Sequence, residues 1–466
     1  MILKNIILQV KLINICLVIT FIFFPFDNVD SKVSAKLSKQ LGKTGTVLTP
    51  TGALRAGNYE GTIPEWTGGI TIKPSGYKPG DFHPFPFKQD QRLFTINIKN
   101  YEQYKNKLTP GLIELIKVYP KTFQMNIYPT HRTASFPEWV YQALIENASN
   151  AELIDNGNGV RGARVSSPFP IPKNGVEAIW NHLLYYRGTN IIRYGAQCPI
   201  MENGSYTIIN IVEKLYGIYT NPLLSVQEIE KQNLIMYFMQ YITSPPRMAG
   251  NALLVYEHLN QIKQQRKAWI YNQGQRRVRR TPNIAYSYPG TASDGLRTTD
   301  DWDAYNGSPN RYKWKLLGKK EIYIPYNCYK LHSNKIKYSQ IIQPGHINQD
   351  LVRYELHRVW VVEANLIKTY RHVYNKRVFY LDEDSWFCLA AEMYDSRDQL
   401  YRVLLTHVIN YYDLPTIWTT LDIYHDFYSK RYLASQIDNE ERMVDFKAKL
   451  TKKNFSIDAL RRIGIR

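Results

Sequence analysis

Three stretches of this 466-residue chain carry side chains whose types and spacing could do chemistry. Asp301, Asp303 and Asn306 bring three oxygen donors into six residues of an acidic loop over 293–307, a composition suited to a hard cation. The register of a helix–loop–helix calcium site fails: Gly307 falls one place late, and Tyr312 stands where a bidentate glutamate is required. Asx-turns that order the loop explain the same residues, so a structural role is expected and the three remain weak metal candidates. Asp382-Glu383-Asp384 is the second stretch. Paired carboxylates can serve as general acid and base in glycoside hydrolysis when held at a fixed separation across a cleft. Adjacent acids at a hairpin tip are normally solvated, so this reading is an alternative only. The third stretch is basic: Arg276, Arg277, Arg279 and Arg280, interrupted by Val278. Such guanidinium groups suit phosphate headgroups or an acidic partner. They equally suit a charged hairpin edge that blocks further strand pairing. His357 sits in an alternating segment with Tyr354, Leu356 and Trp360, which predicts a strand with one buried face and not a catalytic base.

The motif search yields no G-x-S-x-G elbow, no H-E-x-x-H, no phosphate-cradling P-loop, no dinucleotide glycine turn and no paired cysteines. No catalytic residue, cofactor or resident metal is therefore expected. Triads scattered along the chain stay open, because their members need only meet in space.

The elements that must position these residues follow from composition and periodicity. The chain is 44% apolar and carries 36 tyrosines against 17 phenylalanines and 9 tryptophans, an excess that favours half-buried sheet surfaces. Residues 45–87 are dense in Pro and Gly and also hold Leu54, Ile63, Trp66 and Phe85, which predicts an ordered irregular wrap. Helical spacing marks residues 110–119, 137–145 and 175–186, with a flexible loop at Asn156-Gly157-Asn158-Gly159. Beyond about residue 190 the period changes to two, predicting strands at 234–243, 252–258, 267–272, 352–366, 371–382, 386–394 and 401–412. Short connections between them imply an antiparallel meander. The tail from Ser435 is charged and partly helical in expectation. The fold class expected is α+β and mainly β.

Residues 1–35 read as a secretory signal. Lys4 and Lys11 precede an apolar run from Leu12 to Phe26 that Pro25 breaks, shorter than the roughly 20 residues a bilayer needs. Val33-Ser34-Ala35 offers small residues for cleavage after Ala35, and an uncleaved anchor is the alternative. Cleavage would take the net charge from +19 to +18. On an exported chain that charge points away from nucleic acid and toward headgroups, acidic saccharide or a partner protein. Cys198, Cys328 and Cys388 are widely spaced and read as small buried apolar residues, with one disulfide left open.

Several of these stretches together resemble a known family. Residues 48–69, with Thr49-Pro50, Gly52-Ala53, Ala56-Gly57-Asn58, Gly61-Thr62-Ile63-Pro64 and Trp66-Thr67-Gly68-Gly69, are joined by Pro245-Pro246-Arg247-Met248-Ala249-Gly250, Ser293-Asp294-Gly295-Leu296-Arg297, Arg353-Tyr354-Glu355-Leu356-His357-Arg358 and Asp382-Glu383-Asp384-Ser385-Trp386. The pattern is similar to the domain-of-unknown-function family 1329 of exported Gram-negative proteins, and it extends to Arg462. The resemblance implies a fold like the lipoprotein carriers LolA and LolB: a curved antiparallel sheet, an incomplete barrel, with helices capping an apolar cavity. On this reading residues 36–466 form a single large domain, with an irregular wrap at 36–98, a mainly helical part at 99–190, the sheet at 191–434 and a tail at 435–466. The function implied is a periplasmic, non-enzymatic carrier or accessory protein that binds a lipid or lipoprotein acyl chain, with peripheral membrane contact and with Arg276, Arg277, Arg279 and Arg280 at headgroups. Two alternatives accompany it: an adaptor for a resistance-nodulation-division exporter or an outer-membrane protein, and an enzyme acting on envelope saccharide. The family has no agreed site to carry over, and no lipid-bearing cysteine follows the apolar run.

Overall fold

Seventeen strands account for most of the architecture of the computed structural model, which describes residues 33–281 and 286–464. In chain order they are β1 (Phe94–Ile96), β2 (Met125–Ile127), β3 (Glu152–Ile154), β4 (Gly159–Arg161), β5 (Asn190–Ile200), β6 (Ile209–Gly217), β7 (Leu234–Ser244), β8 (Ala252–His258), β9 (Lys267–Asn272), β10 (Arg277–Arg280), β11 (Tyr312–Pro325), β12 (Tyr354–Leu366), β13 (Lys376–Asp382), β14 (Cys388–Tyr394), β15 (Leu400–Asn410), β16 (Ile417–Asp426) and β17 (Arg431–Ile437). Fifteen of them form one sheet in the order β1-β2-β12-β13-β14-β15-β16-β17-β5-β6-β7-β8-β9-β10, with β11 also paired to β12. The sheet is large, curved and unclosed. It consists of two antiparallel meanders, β5 to β10 and β12 to β17, joined where β17 pairs with β5 at Leu433↔Pro199 and Ala434↔Cys198. One parallel bridge, Tyr354↔Ile127, attaches the small β1–β2 pair.

Short helices cap this sheet, and their ends follow local chemistry. Helix α1 is Ala35–Ser38. Helix α2 (Pro110–Val118) starts with proline at its first position, and the Thr109 side chain accepts from the amide of Leu112 at 3.2 Å. Helix α3 (Glu138–Asn150) begins one residue after Pro137, which takes the cap position and not the first turn. In α4 (Gly175–Leu184) the cap is Asn174, whose Oδ1 accepts from the Glu177 amide at 3.0 Å. Helices α5 (Val226–Gln232), α6 (Tyr338–Ile341) and α7 (Ile457–Gly464) complete the set. The expected flexible loop at 156–159 is instead the turn of the β3–β4 hairpin, and its Gly157 carbonyl accepts from Trp180 Nε1 at 2.8 Å.

Burial is heavier than a one-faced sheet would give. Every residue of β16 is buried, and β12 is buried on both faces from Tyr354 to Val359, which corrects the expectation of a single buried face around His357. The N-terminal wrap supplies the second cover. Ile63 and Trp66 are buried in it, and Trp66 Nε1 donates to the Ala134 carbonyl at 3.1 Å. Gly52 lies at φ +83 with Pro170 O only 1.7 Å from where a Cβ would sit, so no other residue fits this crossing. The predicted leader lies, apart from residues 33–35, outside the described residues. No helix among the described residues is long and apolar enough to cross a membrane.

Candidate functional site

The period-2 pattern of two neighbouring strands builds an amphipathic cleft on the sheet. Met236, Phe238 and Gln240 share one face of β7, and their direct partners on β8 are Glu257, Val255 and Leu253. The loop between β10 and β11 folds over this face and brings Gly290, Thr291, Arg297, Thr299, Trp302 and Asn306 against it. A bridge between Pro289 and Thr298 closes the loop on itself. The Trp302 ring stands 5.0 Å from that of Phe238, and Trp302 Nε1 donates to Glu213 Oε1 at 3.1 Å. The cleft holds about 40 Å³ of free space, and two smaller gaps of about 20 Å³ each continue it along Ile235 and Met236 toward Leu183 and Arg187 of the α4 side.

Charge in this cleft is unevenly paired. Arg266 meets Glu257 at 2.8 Å and also donates to the carbonyl of Asn306. Glu213 receives Gln240, Trp302 and Gln436 on Oε1. Arg297 is 4% exposed, forms no ion pair among the described residues, and its Nε has no hydrogen-bond partner. On β16, burial pushes Asp422 up to about 7, while Thr419 bonding and the Arg193 and Arg297 guanidinium groups favour its ionised form. With a folded value above the unfolded one, the stability Asp422 contributes is present below about pH 4 and lost as pH rises toward 7. Asp422→Asn should therefore gain on the parent protein between pH 4 and 7, by up to about 4 kcal/mol, then run parallel above it; urea titrations at several pH values measure this.

A larger crevice of about 290 Å³ lies where the end of the wrap meets β2 and β12. Phe85, Tyr128, Lys88, Lys330 and Arg353 line it. Arg353 is already engaged there, with Asp90 at 2.5 Å and the Pro129 carbonyl at 2.7 Å.

The residues singled out from sequence are placed as follows. Asp301, Asp303 and Asn306 do not converge. Asp301 binds Arg377, Thr298 and Tyr374, whereas Asp303 binds Arg187 at 2.8 Å and Trp418 Nε1 at 3.0 Å. Asn306 contributes its carbonyl to Arg266. Arg276, at φ 51, sits in the turn before β10, and Arg277, Arg279 and Arg280 are exposed along that last strand of the sheet.

Asp382, Glu383 and Asp384 are not at a solvated tip: all three are buried beneath the wrap, which corrects that expectation. The physical reason is a lattice of arginines. Arg132 grips Asp384 with Nε to Oδ2 at 2.9 Å and Nη2 to Oδ1 at 2.7 Å, and Arg358 Nε meets Glu383 at 2.9 Å. Asp382 accepts from Tyr326 at 3.0 Å and from Ser385 at 2.5 Å. His357, Asp382 and Asp384 each bring a ligand-capable atom within 4.8 Å of the others. Their oxygens already serve the arginine, tyrosine and serine, and His357 Nε2 faces Glu355 Oε2 at 3.0 Å, so these atoms are committed within the protein. Burial and the neighbouring Asp384 carboxylate raise Asp382 to about 6.

Cys198, Cys328 and Cys388 are free and buried, and burial pushes the first two thiols up to about 12. The cleft residues themselves escaped the sequence reading. Alternation over 234–243 signals a strand, and only the crossing of a distant loop shows that Met236, Phe238 and Arg297 meet.

Residues 95–461 match the family described as protein of unknown function, DUF1329. An uncharacterized protein of Pseudomonas aeruginosa is 47% identical over 435 residues, spanning 93% of this chain and 95% of its own length. Among solved structures, a DUF1329 family protein from Desulfovibrio piger has 13% identity and a TM-score of 0.41, covering 59% of this chain and 92% of its own. A LolA superfamily protein from Nitrosomonas europaea has 14% identity and a TM-score of 0.37, covering 59% and 93%.

Proposed function

The chain belongs to the DUF1329 family, and from that premise we propose that it is an exported, non-enzymatic carrier or accessory protein that takes an amphipathic ligand into the cleft over β7 and β8. The observation that carries this reading is the cleft itself: an apolar wall of Met236, Phe238, Leu253, Val255 and Trp302 beside a buried arginine. Burying an apolar chain end there contributes about 0.8 kcal/mol per CH₂. The free space takes the end of a chain and not a whole lipid, so the rest of the ligand stays outside the cleft. The signal at residues 1–35 puts the working protein in the periplasm on this reading. Native mass spectrometry of protein purified from that compartment, with solvent extraction of the sample, is the test. A stoichiometric co-purifying amphiphile is expected; an empty protein that also takes up no added amphiphile overturns the proposal.

One observation favours a second role. Strand β10, paired only with β9 among the described residues, exposes Arg277, Arg279 and Arg280, which fits attraction to an anionic membrane surface or to an acidic partner such as an exporter or outer-membrane protein. Replacing all three by glutamine should weaken binding to vesicles containing anionic lipid by about 3 kcal/mol, taking about 1 kcal/mol per basic residue. Vesicle co-sedimentation at low and high salt measures it. Because Cys198, Cys328 and Cys388 are buried, and Cys16 lies in the leader that is removed on this reading, a cysteine introduced by Arg279→Cys can carry a crosslinker selectively, and capture of a protein in place of lipid would favour the adaptor reading.

A further inference from the structure

The cleft contains a buried cation that forms no ion pair among the described residues; the carboxylate its charge acts on is Asp422, beyond ion-pair distance, which burial pushes up to about 7. Arg297 is 96% shielded from solvent, its Nε has no acceptor, and no described carboxylate lies within ion-pair distance of its guanidinium. Of the other charges around the cleft, Glu257 is committed to Arg266, and Glu213 takes three donors on Oε1 while its Oε2 has no hydrogen-bond partner. A buried guanidinium without a direct ion pair is costly, and its planar fork matches a carboxylate or phosphate in two-point geometry. The loop makes deliberate room for it. A Cβ on Gly290 would stand 2.8 Å from Arg297 Nη1 and 2.9 Å from Cζ, while the Gly290 amide donates to the Arg297 carbonyl at 3.0 Å. Gly290 has no left-handed backbone angle, so its lack of a side chain serves space and not conformation. Beside this head lies the apolar floor of Phe238 and Val255 under Trp302.

We propose that Arg297 anchors the head of the ligand, and that the cleft selects single-chain amphiphiles with a carboxylate or phosphate-monoester head over neutral ones of the same chain. This rests on the carrier reading above and adds head charge, chain number and the residue that reads them. Gly290 acts as a positioning residue, keeping the guanidinium turned into the cleft.

The test uses the full exported chain, stripped of lipid, with cis-parinaric acid and the corresponding parinaryl alcohol as fluorescent probes. Dodecanoate, dodecyl phosphate and dodecanol serve as competitors. The acid should bind at least tenfold tighter than the alcohol, and Arg297→Gln should remove most of that preference while leaving alcohol binding in place. Gly290→Ala should reduce the preference in the same direction, and it reports on the site even if the arginine variant fails to fold. Competition by dodecanoate, by dodecyl phosphate or by both identifies the head the site takes. Equal binding of acid and alcohol by the parent protein overturns the head-group assignment and leaves the carrier reading standing. Binding of neither probe overturns the carrier reading and the assignment with it. A retained preference in both variants overturns the role given to Arg297.

Discussion

Arg132→Met is expected to lower the unfolding free energy by about 3–5 kcal/mol and to free the N-terminal wrap from the sheet. The Arg132 side chain is 98% shielded, and its guanidinium clamps both oxygens of Asp384. The same group also donates to the carbonyls of Leu54 at 2.8 Å and Arg55 at 2.9 Å, so a single side chain ties residues 54–55 to the β13–β14 turn. Glu383 reinforces the junction by accepting from the Leu54 amide at 2.8 Å, and Trp386 Nε1 donates to the Thr51 carbonyl at 2.8 Å. Removing the cation leaves Asp384 buried beside Asp382, which burial and that same neighbour already push up to about 6. Two carboxyls in that position can no longer both ionise at neutral pH. Urea unfolding reports the energy, and limited proteolysis reports the wrap through new cleavage between residues 45 and 70. Arg132→Lys keeps the charge without the fork and should fall between the two. An unchanged midpoint with no new cleavage would contradict this account of the acidic triplet.

The junction also shows how far sequence reasoning reaches. Period-2 alternation located β7, β8, β9, β12, β14 and β15 closely, because each strand has its own local pattern. It missed β5, β6, β11, β16 and β17, and for β16 the reason is physical: with every residue buried, Ile417–Asp426 carries no alternation to read. The pairing of β17 with β5 joins residues more than 200 apart, and no local signal encodes it. Asp382, Glu383 and Asp384 look like a solvated tip for the same reason. What buries them is a segment more than 300 residues earlier in the chain, whose proline and glycine content announces irregularity without naming what it covers. The basic run at 276–280 was legible as an edge because its exposure is local. Arg297 was not, since an arginine in a loop motif gives no sign that it will be buried in a cleft without a direct ion pair among the described residues.

The second large effect belongs to the turn that carries Trp302 into the cleft. Arg377→Met should also cost about 3–5 kcal/mol, and here the origin of the cost can be separated. Arg377 is fully buried on β13, with Nη1 on Asp300 Oδ2 at 2.9 Å and Nη2 on Asp301. Tyr374 donates to Asp301 at 2.9 Å, Arg402 donates to Tyr374 at 3.0 Å, and His372 stands 3.3 Å from Asp300. Burial alone would raise Asp300, but the Arg377 guanidinium holds its carboxyl well below the usual range. Its stabilising contribution is therefore present above about pH 4 and lost as pH falls through the lowered folded value. In Arg377→Met that lowering is gone, so the gap between variant and parent should narrow as the pH drops below about 4. At neutral pH most of the loss comes from two stranded carboxylates and little from the net worth of the ion pairs. Adding Asp300→Asn and Asp301→Asn to Arg377→Met should then recover more than half of the stability, as urea unfolding of the two variants will show. Uptake of cis-parinaric acid should follow stability back only where Trp302 regains its place against Phe238. Recovery of stability without recovery of uptake would mean that the ion pairs serve to position the cleft wall; a triple variant as unstable as the single one would mean that the pairs themselves, and not the unpaired charge, hold the turn.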